Sequence, residues 1–274
     1  MGAYTAVNDS SAHFQTLLYT GNATGSRALT NDGNSDLQPD WLWIKQRNAT
    51  KNHAIWDSSR GVTKQLRTNL SNAEASNTAN DTLVSLDSDG FTLGDDTDSV
   101  GVNENSNTYV AWQWKANGGS LTTNDVSSTG VGSLDSQHQA NTTAGFSIVD
   151  YTGTGAAGTM AHGLGAIPDM IIFKDRSEAA AWIVYHKDIG NGGGLKLDTN
   201  AAKFTESTLF NDTSPTSSVF TVGSANNINK NDNNFIAYCF TSIQGYSKFG
   251  KYIGNGNANG TFIYTGFKPS FIMF

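Results

Sequence analysis

Four short blocks of this chain occur twice, in the same order, and that duplication limits the folds open to it. Phe14-Gln-Thr-Leu-Leu-Tyr19-Thr20-Gly21 returns as Phe146-Ser-Ile-Val-Asp-Tyr151-Thr152-Gly153. Pro39-Asp40-Trp41-Leu42-Trp43-Ile44-Lys45 returns as Pro168-Asp169-Met170-Ile171-Ile172-Phe173-Lys174. Gly90-Phe91-Thr92-Leu93-Gly94 matches Val219-Phe220-Thr221-Val222-Gly223, and Tyr109-Val110-Ala111-Trp112-Gln113-Trp114 matches Phe235-Ile236-Ala237-Tyr238-Cys239-Phe240. The offset is about 130 residues throughout, a usual domain length. One matching block could arise by chance; four in register indicate duplication.

The blocks are rich in aromatic and β-branched residues, are bounded by Gly and Asn, and are too short for ordinary helices, so they read as strands. The Trp41 and Tyr109 blocks, with their counterparts, are apolar on both alternating faces and read as central strands covered on both sides. The expected class is all-β: two tandem sandwich-like domains with the opening strands of a third. The expected division is a first domain over 1–120, a linker with ordered pieces over 121–144, a second domain over 145–245, and the start of a third copy over 246–274. Within the first domain, the polar stretch 69–82 contains Ala73-Glu-Ala-Ser and is read as able to hold one helical turn.

The third copy rests on Tyr252-Ile-Gly, which matches Tyr151-Thr-Gly, and on Pro269-Ser-Phe271-Ile-Met-Phe274, which matches Pro168-Asp-Met170-Ile-Ile-Phe173. An apolar strand begun there would expose side chains and unpaired backbone groups. The expectation is that the natural polypeptide continues past Phe274; strand donation to the second copy or to a neighbouring subunit is the alternative.

Composition narrows the function classes. The net charge of −7 comes without any Lys/Arg run, so a nucleic-acid partner is not expected. No apolar run approaches a membrane span, and the polar N-terminus lacks the basic and apolar regions of a signal peptide. The lone Cys239 excludes an intrachain disulfide framework. Gly153-Thr-Gly155-Ala-Ala-Gly158 fits a dinucleotide fingerprint, but two glycines and a proline in the next ten residues leave no helix to receive a pyrophosphate, so the segment reads as a turn. Asp95-Asp96-Thr97-Asp98 reads as a solvated acidic loop lacking calcium-loop spacing. None of the five histidines has metal-ligand spacing, and no nucleophile elbow accompanies His162-Gly-Leu-Gly165. No catalytic residue, metal or cofactor is therefore expected. Of the first copy's tryptophans, Trp41, Trp43, Trp112 and Trp114 lie inside expected strands and read as core. Trp56, ahead of the turn Asp57-Ser-Ser-Arg60-Gly61, is the one candidate ligand platform, for a glycan.

Together these motifs (Phe14…Tyr19-Thr-Gly, Gln38-Pro-Asp-Trp41-Leu-Trp-Ile-Lys45, Trp56-Asp-Ser-Ser-Arg-Gly61, Ser88-Asp-Gly-Phe91-Thr-Leu-Gly94 and Tyr109-Val-Ala-Trp-Gln-Trp-Lys115) resemble a domain of unknown function found in virion appendage proteins of marine tailed bacteriophages. The resemblance covers most of 14–115 and, more loosely, 146–240. Tyr185-His186-Lys187-Asp188 replaces the Trp-Asp-Ser-Ser-Arg-Gly stretch in the second copy. The resemblance implies a structural protein of a tail fibre or other surface appendage, located in the virion and helping host attachment. Its partners would be other virion proteins, copies of itself in a trimer, and a host surface glycan. A carbohydrate-binding receptor-recognition module is the alternative.

Overall fold

The computed structural model describes residues 4–274. The first repeat carries β1 (Phe14–Thr20), β2 (Arg27–Leu29), β3 (Trp41–Gln46), β4 (Ala54–Asp57), β5 (Lys64–Gln65), β6 (Ala75–Ser76), β7 (Leu83–Asp87), β8 (Gly90–Leu93) and β9 (Thr108–Trp114). The second carries β10 (Thr122–Asn124), a helical turn α1 (Val126–Thr129), β11 (Ser136–Asn141), β12 (Phe146–Thr152), β13 (Gly158–Ala161), β14 (Met170–Asp175), β15 (Ile183–His186), β16 (Gly193–Lys196), β17 (Phe204–Thr205), β18 (Val219–Val222), α2 (Asn226–Asn229) and β19 (Asn234–Phe240). The protein is all-β and sandwich-like. No helix among the described residues is long and apolar enough to cross a membrane.

The duplication is visible in the topology. The first main sheet runs β1-β9-β3-β4, and the second contains the equivalent order β12-β19-β14-β15. Register agrees as well: Trp41 faces Trp114 across β3 and β9, as Met170 faces Phe240 across β14 and β19. The strands expected to be central are central in both. Loops repeat too. Tyr19 Oη donates to Val102 O at 2.7 Å, and Tyr151 Oη to Ile228 O at 2.7 Å. Asn103 Nδ2 donates to Gly94 O and Asn229 Nδ2 to Gly223 O, so one amide holds the same turn in each half. The Tyr-Thr-Gly ending has a steric cause: a Cβ on Gly21 would lie 2.1 Å from Glu104 O, and one on Gly153 would lie 2.2 Å from Lys230 O. Gly153 of the dinucleotide-like fingerprint therefore serves close backbone packing.

Alternation along the strands builds three cores. Leu42, Ile44, Trp56 and Tyr109 face outward from the first main sheet and are covered by the small sheet β2-β8-β7. Ile171, Phe173, Phe235 and Tyr151 do the same in the second, under β13-β18. The opposite faces of the two main sheets meet in a shared core containing Trp41, Trp43, Phe146, Met170, Ile172 and Tyr238. Trp41 stacks on Tyr238 with centroids 4.6 Å apart. Because neither repeat closes its inner face alone, urea unfolding should give one transition, coincident by tryptophan fluorescence and far-UV circular dichroism. Two resolved transitions would refute a shared core.

Three segments depart from expectation. Residues 121–144, expected as a linker, place β11 against β12 and β10 against β11, extending the second sheet past its edge. The almost uniformly polar run Ser136-Gln-His-Gln-Ala-Asn141 hides this strand, since main-chain pairing gives it its place. Residues 69–82 form no helical turn. Ala75–Ser76 pairs with Lys64–Gln65, and the preceding backbone bonds to the other repeat: Glu74 N donates to Arg176 O at 3.0 Å, and Ala180 N to Ser71 O at 2.9 Å. Residues 251–274, expected to hold the opening strands of a third copy, form no strand, and Tyr252, Ile253, Phe262 and Phe274 are exposed.

Candidate functional site

The joint between the repeats is where the most specific motif of the sequence lies. Inward-facing positions alternate with outward-facing ones on β4, so Trp56 and Asp57 point in opposite directions. Trp56 is fully buried in the first repeat's outer core, which removes it as a ligand platform. Its neighbour Asp57 faces the second repeat. Asp57 Oδ1 accepts the backbone N–H groups of Ser59 and Arg60, shaping the turn. Its Oδ2 accepts Arg60 Nε at 2.6 Å and the hydroxyl of Tyr238, on β19, at 2.6 Å.

Arg60 then links outward. One guanidinium nitrogen donates to Lys64 O at 2.8 Å and to Glu74 Oε2 at 3.1 Å. Glu74 also accepts Arg176 Nε at 2.9 Å, and Arg176 pairs with Asp150. The chain of charges thus alternates in sign across the joint: Asp57, Arg60, Glu74, Arg176, Asp150. The side chains of Asp57 and Arg60 are wholly enclosed. Burial alone would push the Arg60 pKa down; Asp57, Tyr238 and Glu74 more than offset it, and the guanidinium is held more firmly protonated than usual. Asp150, at the rim, is pushed up to about 6, mainly by burial, against the pull of Arg176.

Neighbouring contacts reinforce the joint. Gln139 Nε2, on β11, donates to both Ser58 Oγ and Ser59 Oγ. Trp182 Nε1 donates to Arg67 O and Leu70 O. Lys174 is fully buried, donates to Ser71 O and Ala180 O, and has a pKa pushed down to about 8 by burial. The second repeat lacks the Trp-Asp-Ser-Ser-Arg-Gly sequence because the motif acts once, between the copies. The equivalent turn at Tyr185-His186-Lys187-Asp188 meets no third sheet and is closed locally, by Asp188 N donating to His186 Nδ1.

Beside this joint the two main sheets splay apart. A cleft of about 550 Å³ opens between them, lined by Trp41, Trp43, Trp114, Phe146, Met170 and Phe271 among others. The half-buried tryptophans are Trp112 and Trp114, which the sequence had placed in the core, and they lie on the first sheet's inner face.

The acidic loop, expected to be solvated, folds around a buried carboxylate. Asp96 is buried, and its carboxylate accepts the N–H groups of Val100, Gly101, Val102 and Asn103. Asp81 similarly accepts Thr97 N and Asp98 N. Among the described residues no group of three or more His, Cys, Asp or Glu could hold a metal ion. The second repeat has Ala225 at the place of Asp96 and builds α2 there instead. Asp96→Asn should cost about 1–2 kcal/mol in urea denaturation, since a neutral amide replaces an acceptor of four N–H bonds. No change would mean that the loop holds itself. Cys239 is buried, with its thiol pushed up to about 12 by burial, and so is inert.

Among known proteins, a family model described as "Domain of unknown function (DUF7483)" matches residues 9–274. No curated protein and no solved structure matches the chain significantly. The match is a single unit covering both repeats and the C-terminal segment, where the sequence suggested one family domain per repeat.

Proposed function

The chain belongs to this family of domains of unknown function, and from that premise we propose that it is a non-catalytic structural module of a tailed-phage virion, part of a tail fibre or other surface appendage with a role in host attachment. The observation that carries this reading is the joint. An enclosed ion network and a shared aromatic core fuse two β-modules into one block, an arrangement suited to transmitting load and to presenting loops at fixed spacing. The charged groups with the strongest claim to chemistry, Asp57, Arg60, Glu74 and Lys174, are engaged by one another or by main-chain carbonyls. The motif resemblance supports the same reading and suggests a homotrimer with other virion proteins as neighbours.

Purified virions decide the matter. Mass spectrometry should find the protein in particles, and cryo-electron microscopy should place its density on an appendage. Its absence from particles would end the proposal. Light scattering of the isolated protein at micromolar concentration should give three times the chain mass; a monomer would remove the trimer.

A further inference from the structure

We propose that the cleft between the splayed main sheets binds a single-chain amphiphile: an aliphatic chain ended by an anionic head group such as a carboxylate. The inference does not depend on a virion role. It starts from the difference between the floor of the cleft and its rim. The floor is apolar and buried, with Trp41, Phe146, Met170, Ile172 and Phe240 at most 7% exposed. Phe267, Phe271 and Met273, from the strandless C-terminal segment, form one wall, and Phe271 lies 5.3 Å from Trp114, centroid to centroid. Size suits a chain. A methylene takes about the space of one water molecule, about 30 Å³, so a chain of about twelve carbons needs about 360 Å³ and fits within the cleft's 550 Å³.

The chemistry of the lining selects among ligands. Asp and Asn abound in this chain, yet among the described residues no Asp, Glu, Asn or Gln lines the cleft. A glycan needs such acceptors for its hydroxyl hydrogens, so a sugar is poorly served here. An aliphatic chain needs none. Met170 and Met273 add flexible thioethers, which shape themselves to an irregular apolar guest. Ile272 and Met273, at the rim, are 66% and 40% exposed, so a seated chain removes apolar surface from water. The charge at the rim has one sign. Lys248 and Lys268 line the cleft and are exposed, and no carboxylate accompanies them. Lys248 Nζ donates to Tyr264 O at 2.7 Å. Lys268 has no ion pair among the described residues and is the ammonium open to a ligand. In a chain with 24 acidic and 17 basic residues, this rim is a local exception, and it favours an anion.

Titration of the 274-residue chain with ω-bromododecanoate, below its micelle concentration, tests this through tryptophan fluorescence. Trp41, Trp43 and Trp114 line the cleft, so bromine at the end of a seated chain should quench them saturably, with one ligand per protein. Unbrominated dodecanoate should reverse the quenching by competition. Dodecyltrimethylammonium, with the same tail and a cationic head, should compete about tenfold less well. Lys268→Glu should weaken dodecanoate binding about tenfold, because attraction at the rim becomes repulsion. Lys203→Glu makes the same charge change at an exposed lysine outside the cleft and should leave the affinity unchanged. Absence of saturable quenching would overturn the proposal, as would equal affinity for the two head groups or equal weakening by the two lysine variants. Quenching accompanied by loss of far-UV circular dichroism would be unfolding by a detergent, and would overturn it as well. So would co-sedimentation with phosphatidylglycerol vesicles in place of binding to the monomeric ligand, which would make the basic rim a membrane contact.

Discussion

Replacing Arg60 with methionine is expected to destabilise the protein by about 3–5 kcal/mol, the cost typical of removing one partner from an enclosed ion pair. The loss has three parts. Asp57 keeps its charge in a fully buried position with Tyr238 and two backbone N–H groups as its remaining donors. Lys64 O loses its guanidinium donor, and Glu74 keeps only Arg176. Arg60→Lys should recover little, because one ammonium cannot reach Asp57, Glu74 and the carbonyl in the planar fork that arginine provides. Pairing Arg60→Met with Asp57→Asn should recover part of the loss, since no uncompensated charge remains while the amide oxygen still accepts the turn. Urea denaturation of the three variants measures this. A cost below about 1 kcal/mol for Arg60→Met would mean that the enclosed pair contributes no more than an exposed surface bridge, leaving the joint to its apolar core and its other hydrogen bonds.

Acid should unfold the protein through His162 before the ordinary carboxylates matter. His162 is fully buried in the loop after β13, and its tautomer is settled by its partners. Leu164 N donates to Nδ1 at 3.2 Å, so the ring proton is on Nε2, which donates to Thr216 O at 3.1 Å. A second proton would have to sit on Nδ1, facing an N–H. Burial accordingly pushes the His162 pKa down to about 4, with the Thr216 bond opposing only in part. The unfolded chain binds a proton near the usual pKa of about 6.5, so between about 4 and 6.5 the unfolded state holds more protons. Stability is therefore full above about pH 6.5 and falls by about 3 kcal/mol as pH drops toward 4. Asp150 acts with the opposite sign. Its pKa of about 6 lies above the ordinary value, so its contribution declines as pH rises from about 4 to 6, and it is discounted for its partial exposure. Comparing His162→Gln with the parent chain, both carrying Asp150→Asn, isolates the histidine. The stability gap between the two should move by about 3 kcal/mol between pH 7 and pH 4 in favour of the glutamine variant. A constant gap would mean that His162 is protonated without opening its loop.

What the sequence determined by itself is local and periodic. Apolar residues on both alternating faces of Trp41-Leu-Trp-Ile and Tyr109-Val-Ala-Trp placed β3 and β9 at the centre of a sheet, because a strand with two apolar faces must be covered twice. Duplicated blocks carried the same order to β14 and β19, and the Tyr-Thr-Gly and Phe-Thr-Leu-Gly endings marked the turns they build. The joint was not legible in this way. Nothing at Asp57 or Arg60 announces that their partners are Glu74, Tyr238 and Arg176, since those residues are distant in the chain and carry no shared spacing. Trp56 was misplaced for a related reason: sequence shows that an aromatic precedes a turn, but only strand pairing shows which face of the sheet it occupies. Residues 121–144 looked like a linker because β10 and β11 are built of polar residues and are held by main-chain hydrogen bonds, which leave no trace in side-chain pattern. Periodicity records what each strand must bury. Only the meeting of the two main sheets decides what it is buried against, because that choice rests on contacts between residues far apart along the chain.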